Sequence, residues 1–310
     1  MKKLSILFTI LVFGAGIAII SCTKEATTTP PTVSSATDAI VVDNTVSDIT
    51  ATIENYEAVN PSTFTDPTLK AMVAGPTTVI LYPKRFDSCA IVTGSKTNVI
   101  TGTAVTGATV TLKIDFGTIG CIGKDGITRK GTITSTYTWV KLGGWTRVSA
   151  IDLYVNDVHH IGTQTATFGL IGPNNHAFYT DTTSLTITAT VSGVATTKIW
   201  TSDRQRELVE GNGGIAVVKI WKITGNSSFT NAAGAKSTYT IINPLYRTSN
   251  CKDFVAGSVQ TVSTAGVTTT IDYGTYTTPA AVTCKDGFTV NVPAGPNGKG
   301  AFSRFIKFGI

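Results

Sequence analysis

Four aspartates stand at matched places in this chain. Asp115 opens Asp-Phe-Gly-Thr and is followed by Lys124-Asp125-Gly126; Asp272 opens Asp-Tyr-Gly-Thr and is followed by Lys285-Asp286-Gly287. Paired carboxylates serve two chemistries, proton transfer and calcium binding. An Asp-Gly step is first of all a turn, because glycine supplies the positive φ that a tight turn needs. The sequence therefore predicts Asp125 and Asp286 at exposed hairpin tips, with Asp115 and Asp272 at strand ends in separate units. His159 and His160 are adjacent, and neighbours on a strand point to opposite faces, so they are poor partners for one metal. His176 stands alone in a Gly/Asn loop. Asp203, Arg204, Arg206 and Glu207 form a mixed charge run, read as a solvated strand edge that discourages further pairing. Trp139, Trp145, Trp200 and Trp221 fall in strand-like contexts, where core packing is the ordinary role and a sugar or lipid groove the alternative. The chain has no Gly-x-Ser-x-Gly elbow and no phosphate loop. No catalytic residue, metal ligand or cofactor is assigned from these residues.

The chain has five cysteines. Cys22 closes an apolar run that begins after Lys2 and Lys3, and Ser21 before it is small. A basic start, an apolar stretch and a small residue before cysteine is the layout of a lipoprotein signal, with the Cys22 thiol as the lipidated group. The rival, a membrane span, fits less well, since the run is at the lower limit for spanning and turns polar at once. Loss of Lys2 and Lys3 with the leader lowers the formal charge from +6 to +4. So slight an excess, with no Lys/Arg patch, gives no reason to expect a nucleic-acid partner. The remaining cysteines, Cys89, Cys121, Cys251 and Cys284, are even in number, and an exported chain meets an oxidising compartment.

The order Arg-x-x-x-Cys, strand ending in Asp-aromatic-Gly-Thr, Cys, Asp-Gly occurs twice, from Arg85 to Gly126 and from Arg247 to Gly287. The repeat selects Cys89–Cys121 and Cys251–Cys284 from the three pairings that four cysteines allow. Each bridge closes a loop of about 33 residues and contributes roughly 3.5 kcal/mol on the chain-entropy estimate. The spacings lack the Cys-x-x-Cys of common zinc sites.

The elements that position these residues are mostly strands. From Thr77 onward apolar residues alternate with Thr, as in Thr109 to Ile114, Ile133 to Val140 and Ser184 to Val191. That period of two predicts an all-β, Thr-rich antiparallel sheet, either a sandwich or a curved open sheet, with one face on the core. Before it, Asp38 to Ala58 reads as a short helix capped by Ser47, with Ile49, Ile53 and Tyr56 on one face. The expected organisation is a signal peptide over 1–21, a disordered tether over 22–37, a short partly helical segment over 38–75, a first β unit over 76–225 and a second over 226–310, packed with the first.

The run Ile114-Asp-Phe-Gly-Thr-Ile-Gly-Cys121, with Asp125-Gly126, Arg129 and Gly131, resembles a set of uncharacterised envelope lipoproteins of Bacteroidota. Tyr154-Val-Asn156 and Thr201-Ser-Asp-Arg-Gln-Arg-Glu207 fit the same pattern. The resemblance implies a Gram-negative envelope and carries no activity. Together these readings point to a lipid-anchored, non-catalytic outer-membrane protein, structural or binding, whose ligand is a glycan, a lipid or another protein. A curved half-barrel that carries acyl chains is the alternative, and a hydrolase on a β scaffold is the weaker one.

Overall fold

The structure is a computed structural model that describes residues 31–59, 89–101, 104–123, 125–140, 144–169, 178–191, 193–210, 219–249, 251, 253–277, 283–293 and 301–307. Cys22, His176 and the side chain of Tyr56 lie outside the described residues.

Helix α1 spans Pro31–Val59. It opens on proline, whose missing N–H is no loss in a first turn. It is longer than the sequence predicts, and Ser47 lies inside it rather than capping it. The threonines that weaken the helical signal are accommodated locally. Thr45, Thr50 and Thr52 each donate a hydroxyl to the carbonyl four residues back, those of Val41, Val46 and Asp48, at 2.8–2.9 Å. This back-bonding satisfies polar side chains that a helix would otherwise bury unpaired.

The strands follow in chain order: β1 Ile91–Thr101, β2 Ala104–Asp115, β3 Cys121–Ile122, β4 Thr128–Val140, β5 Gly144–Val155, β6 Val158–Gly169 and β7 Phe178–Val191. Then come β8 Val194–Glu210, β9 Ile220–Thr230, β10 Lys236–Thr248, β11 Ala256–Ser263, β12 Thr268–Asp272, β13 Gly287–Val292 and β14 Phe302–Lys307. They form one antiparallel sheet in sequence order, with only β3 off the path, beside β4. The sheet is open, not a closed barrel. Strands from both predicted β units belong to it, and β9 itself runs across residue 225. Chain neighbours pair because the connections are short. At the β5–β6 hairpin, Asn156 and Asp157 both take positive φ (47° and 65°), the two-residue turn whose twist matches the strands.

The alternation splits the sheet into two faces. One is solvent-facing and rich in threonine: Thr97, Thr109, Thr138, Thr146, Thr167 and Thr180 lie side by side across β1, β2 and β4–β7. The other carries the core, including Ile114, Ile133, Leu153, Leu185, Trp200, Ile223, Phe229 and Leu245.

Candidate functional site

Helix α1 lies on the core face, and its burial explains what surrounds it. Val46, Ser47, Asp48, Ile49 and Thr50 are consecutive and each is at most 3% exposed. Successive helical residues turn by about 100°, so five buried in a row cover the whole circumference. The helix is therefore enclosed, and its polar side chains find partners on strands from β4 to β10. Asp43 accepts both terminal nitrogens of Arg204 on β8, at 2.6 and 2.9 Å, and Arg204 also donates to Ser227 of β9 at 2.8 Å. Asp48 takes Arg129 of β4 at 2.6 Å and faces Arg247 of β10 at 3.6 Å. Arg247 also donates to the Ser47 hydroxyl at 2.9 Å. Gln164 of β6 donates to Thr50 at 2.9 Å, and the Tyr179 hydroxyl on β7 donates to Glu54. Nearer the start of the helix, Lys198 pairs with Asp38 at 3.0 Å.

These contacts sit on a polar belt that crosses the core face. Ser135, Ser149, Gln164, Thr183, Ser202, Ser227, Tyr239, Thr261 and Thr269 are lateral neighbours from β4 to β12, and all are buried. Beside it stand Arg147, bonded to Gln164 at 2.8 Å, and Arg206, bonded to Asp181 at 2.7 Å. The trough is thus basic and hydroxyl-lined, and α1 fills it with carboxylates.

Burial and pairing set the proton affinities. Burial lowers that of Arg129, but Asp48 and Asp125 more than offset this and hold it above its ordinary value. Arg206 is likewise raised, because Asp181 outweighs the burial that lowers it. Burial, with the Glu54 charge, raises the Tyr179 hydroxyl well above its usual value. All these groups keep one charge state near neutral pH.

The charge run on β8 is corrected. Strand β8 is interior to the sheet, and Arg204, Arg206 and Glu207 are buried, because the strand turns the two arginines toward α1 and Asp181. Asp203 alone of the four is exposed. Asp125 is also not an exposed tip residue. It grips buried Arg129 at 2.8 Å through Oδ2, so it joins the network around Asp48. Asp286 is exposed.

Asp115 and Asp272 end β2 and β12, far apart in the sheet order. Each bends back to accept the N–H two residues on, Gly117 at 2.9 Å and Gly274 at 2.7 Å. That N–H, together with Lys113, lowers the Asp115 carboxyl below its ordinary value. The aromatic between is buried in both turns, Phe116 and Tyr273. Gly131 pairs with the first turn and Gly257 with the second through the same two backbone bonds. The copies differ in one respect: Gly131 lies on the strand after its turn, Gly257 on the strand before. Cys89 is bonded to Cys121 and Cys251 to Cys284, with Cα separations of 5.6 and 5.3 Å, the pairing the repeat predicts.

His159 is on the outer face, stacked on Tyr154 with ring centroids 4.2 Å apart and bonded to Asp152 at 2.7 Å. His160 is buried on the core side, with Nδ1 2.9 Å from the Val158 carbonyl. Burial lowers its pKa to about 4. Trp200 is fully buried under Arg204, while Trp139 and Trp145 are half-buried partners and Trp221 packs edge-on to Tyr179. Among the described residues no group of three His, Cys, Asp or Glu is placed to hold a metal ion.

Sequence reasoning missed Arg147, Asp43 and Asp48 as parts of a site, and used Arg129 and Arg247 only as motif positions. One signal was available. In a basic chain, the stretch that forms α1 carries five acidic residues and no lysine or arginine. The fold and trough define a β protein whose open antiparallel sheet holds an acidic helix on its core face. No family model matches the chain, and neither a curated protein nor a solved structure matches it.

Proposed function

We propose that the chain is a lipid-anchored, non-catalytic envelope protein of the outer membrane that presents the outer face of its sheet to a ligand. The observation that supports this most is the filling of the core face by α1. A carrier of acyl chains needs an apolar groove there, and this face instead holds a helix ion-paired to Arg129 and Arg204. A hydrolase needs carboxylates with solvent access, and Asp43, Asp48 and Asp181 are buried and bound to arginine. The broad surface that remains is the outer one. Its hydroxyls and methyls, with few charges, suit a neutral glycan better than an anionic headgroup.

The anchor reading rests on Lys2, Lys3, the apolar run and Ser21-Cys22. Radioactive palmitate should label the wild-type chain and leave Cys22→Ala unlabelled, and the variant should leave the membrane fraction. Equal labelling of both would remove the anchor. For the ligand, glycan arrays probed with the purified protein should give binding that Thr146→Arg with Thr167→Arg abolishes. Binding that survives this double substitution would place the ligand elsewhere.

A further inference from the structure

We propose that the threonine row on the outer face is a track for an extended, unbranched neutral polysaccharide that lies across the strands, one sugar to a strand. This rests on the reading of the outer face as the ligand-binding one. Thr97, Thr109, Thr138, Thr146, Thr167 and Thr180 are lateral neighbours on β1, β2 and β4 to β7. All are exposed except half-buried Thr109. Gln205 of β8 and Thr224 of β9 continue the row, so eight neighbouring strands each present an uncharged side chain that can hydrogen-bond.

Charge selects the class of ligand. The next three outer rows are interrupted in turn by Asp203, Lys113 and Asp152, all exposed. The threonine row carries no charge and suits a ligand that brings none. Each threonine sets a hydroxyl, both donor and acceptor, beside a methyl group. Val99, two residues from Thr97, and Val148, two from Thr146, add apolar surface at its side, 52% and 48% exposed. Hydroxyls set among apolar C–H groups are also what a sugar presents.

Spacing gives the direction. Neighbouring strands lie about 4.8 Å apart, close to the length of one sugar in an extended 1,4-linked chain. Along a strand, side chains of one face recur at about 6.7 Å, which does not match. Twist decides between a single chain and a solid. Neighbouring strands turn by about 20–25°, so the six threonines turn through roughly 100°. A flat crystalline face, whether packed polysaccharide or ice, meets such a row at one or two strands. A single chain follows it, because its glycosidic bonds rotate. A hydrogen bond exchanged with water contributes little, so affinity has to accumulate along the chain.

The test measures binding of the full-length protein, solubilised in a detergent without a sugar headgroup. The probes are neutral 1,4-linked gluco-, manno- and xylo-oligosaccharides graded in length from a disaccharide upward. In at least one series, affinity should rise at least about tenfold between the disaccharide and a chain that spans the six threonines. It should level off once the chain spans all the strands of the row. Thr109→Val with Thr180→Val keeps the shape of the row and removes two of its hydroxyls, and should weaken binding of the long chains several-fold. Thr134→Val with Thr163→Val, on the same face two rows away, should not. Four results overturn the proposal: no binding in any series, affinity that does not grow with length, equal loss in both double variants, or binding confined to insoluble crystalline polymer. On a glycan array, loss of binding in Thr146→Arg with Thr167→Arg keeps the outer face as the binding face even where the track fails. Binding that survives that pair overturns both.

Discussion

Arg129 shows how tightly single residues hold this molecule. It is 1% exposed and bound by Asp48 and Asp125. Arg129→Met should cost about 3–5 kcal/mol in denaturant unfolding, because it strands buried Asp48 without a full partner. Adding Asp48→Asn should recover part of that loss, since the uncompensated charge is then gone. Losses that simply add would show that the pair acts through packing alone. His160 gives a pH signature. Its pKa of about 4 lies below the ordinary 6.5, so the unfolded chain binds a proton first as pH falls. Its contribution is intact above pH 6.5 and is lost on going down toward pH 4, a change of about 3 kcal/mol. His160→Gln should flatten that part of the stability curve, and an unchanged slope would assign it to other groups. At this scale the sequence was legible where residue spacing fixes geometry. Adjacent histidines fall on opposite faces of β6, and the cysteines pair as the repeat orders them. It was illegible for Arg204 and Arg206, because a charge run on a strand looks the same whether it faces water or a buried acidic helix.

At the scale of elements, the outcome turns on α1 and the two Asp-aromatic-Gly turns. The strands were plain in the sequence because one face of the sheet meets water, which preserves the period of two. The helix was understated for the converse reason. With Val46 to Thr50 buried all round, no polar face exists to give a period of 3.6, and Ser, Thr and Asp stand where apolar residues were sought. The repeated turns were legible as sequence, yet the side from which the glycine comes was not, because that depends on which neighbouring strand carries it. These glycines make a direct prediction. A Cβ on Gly131 would lie 2.3 Å from the Asp152 carbonyl oxygen, and one on Gly257 2.2 Å from that of Pro244, both at φ near +100°. Gly131→Ala and Gly257→Ala should each lower stability by about 3 kcal/mol in urea unfolding, combining a strained φ with a backbone clash. A loss under about 0.5 kcal/mol would mean that these approaches relax freely.

The whole molecule is a sheet whose middle and margins are secured differently. Strands β4 to β8 are long, from 12 to 17 residues, and carry the partners of α1. Toward one margin β11 to β14 shorten to between five and eight residues, and toward the other β1 is an edge strand. The disulfides lie where the ladders give least. Cys89–Cys121 joins the residues just before β1 to β3, and Cys251–Cys284 joins the approach to β11 to the approach to β13. A cross-link acts by restricting the unfolded chain, so its loss is felt most by the elements it brackets. Cys251→Ser with Cys284→Ser should cost roughly 3.5 kcal/mol overall on the chain-entropy estimate, and reduction of both bridges about twice that. The loss should not be uniform. Amide hydrogen exchange should rise first in β11 to β14 for the second bridge, and in β1 to β3 for the first. The amides of β5 to β8 and of α1 between Val46 and Ile53 should keep their protection at the same mild denaturant, because their ladders and ion pairs do not involve the bridges. Equal acceleration in all strands would mean that the sheet opens only as a unit and that the bridges stabilise it globally. Faster exchange in α1 than in β11 to β14 would mean that the helix, rather than the short-stranded margin, is the least stable part of the fold.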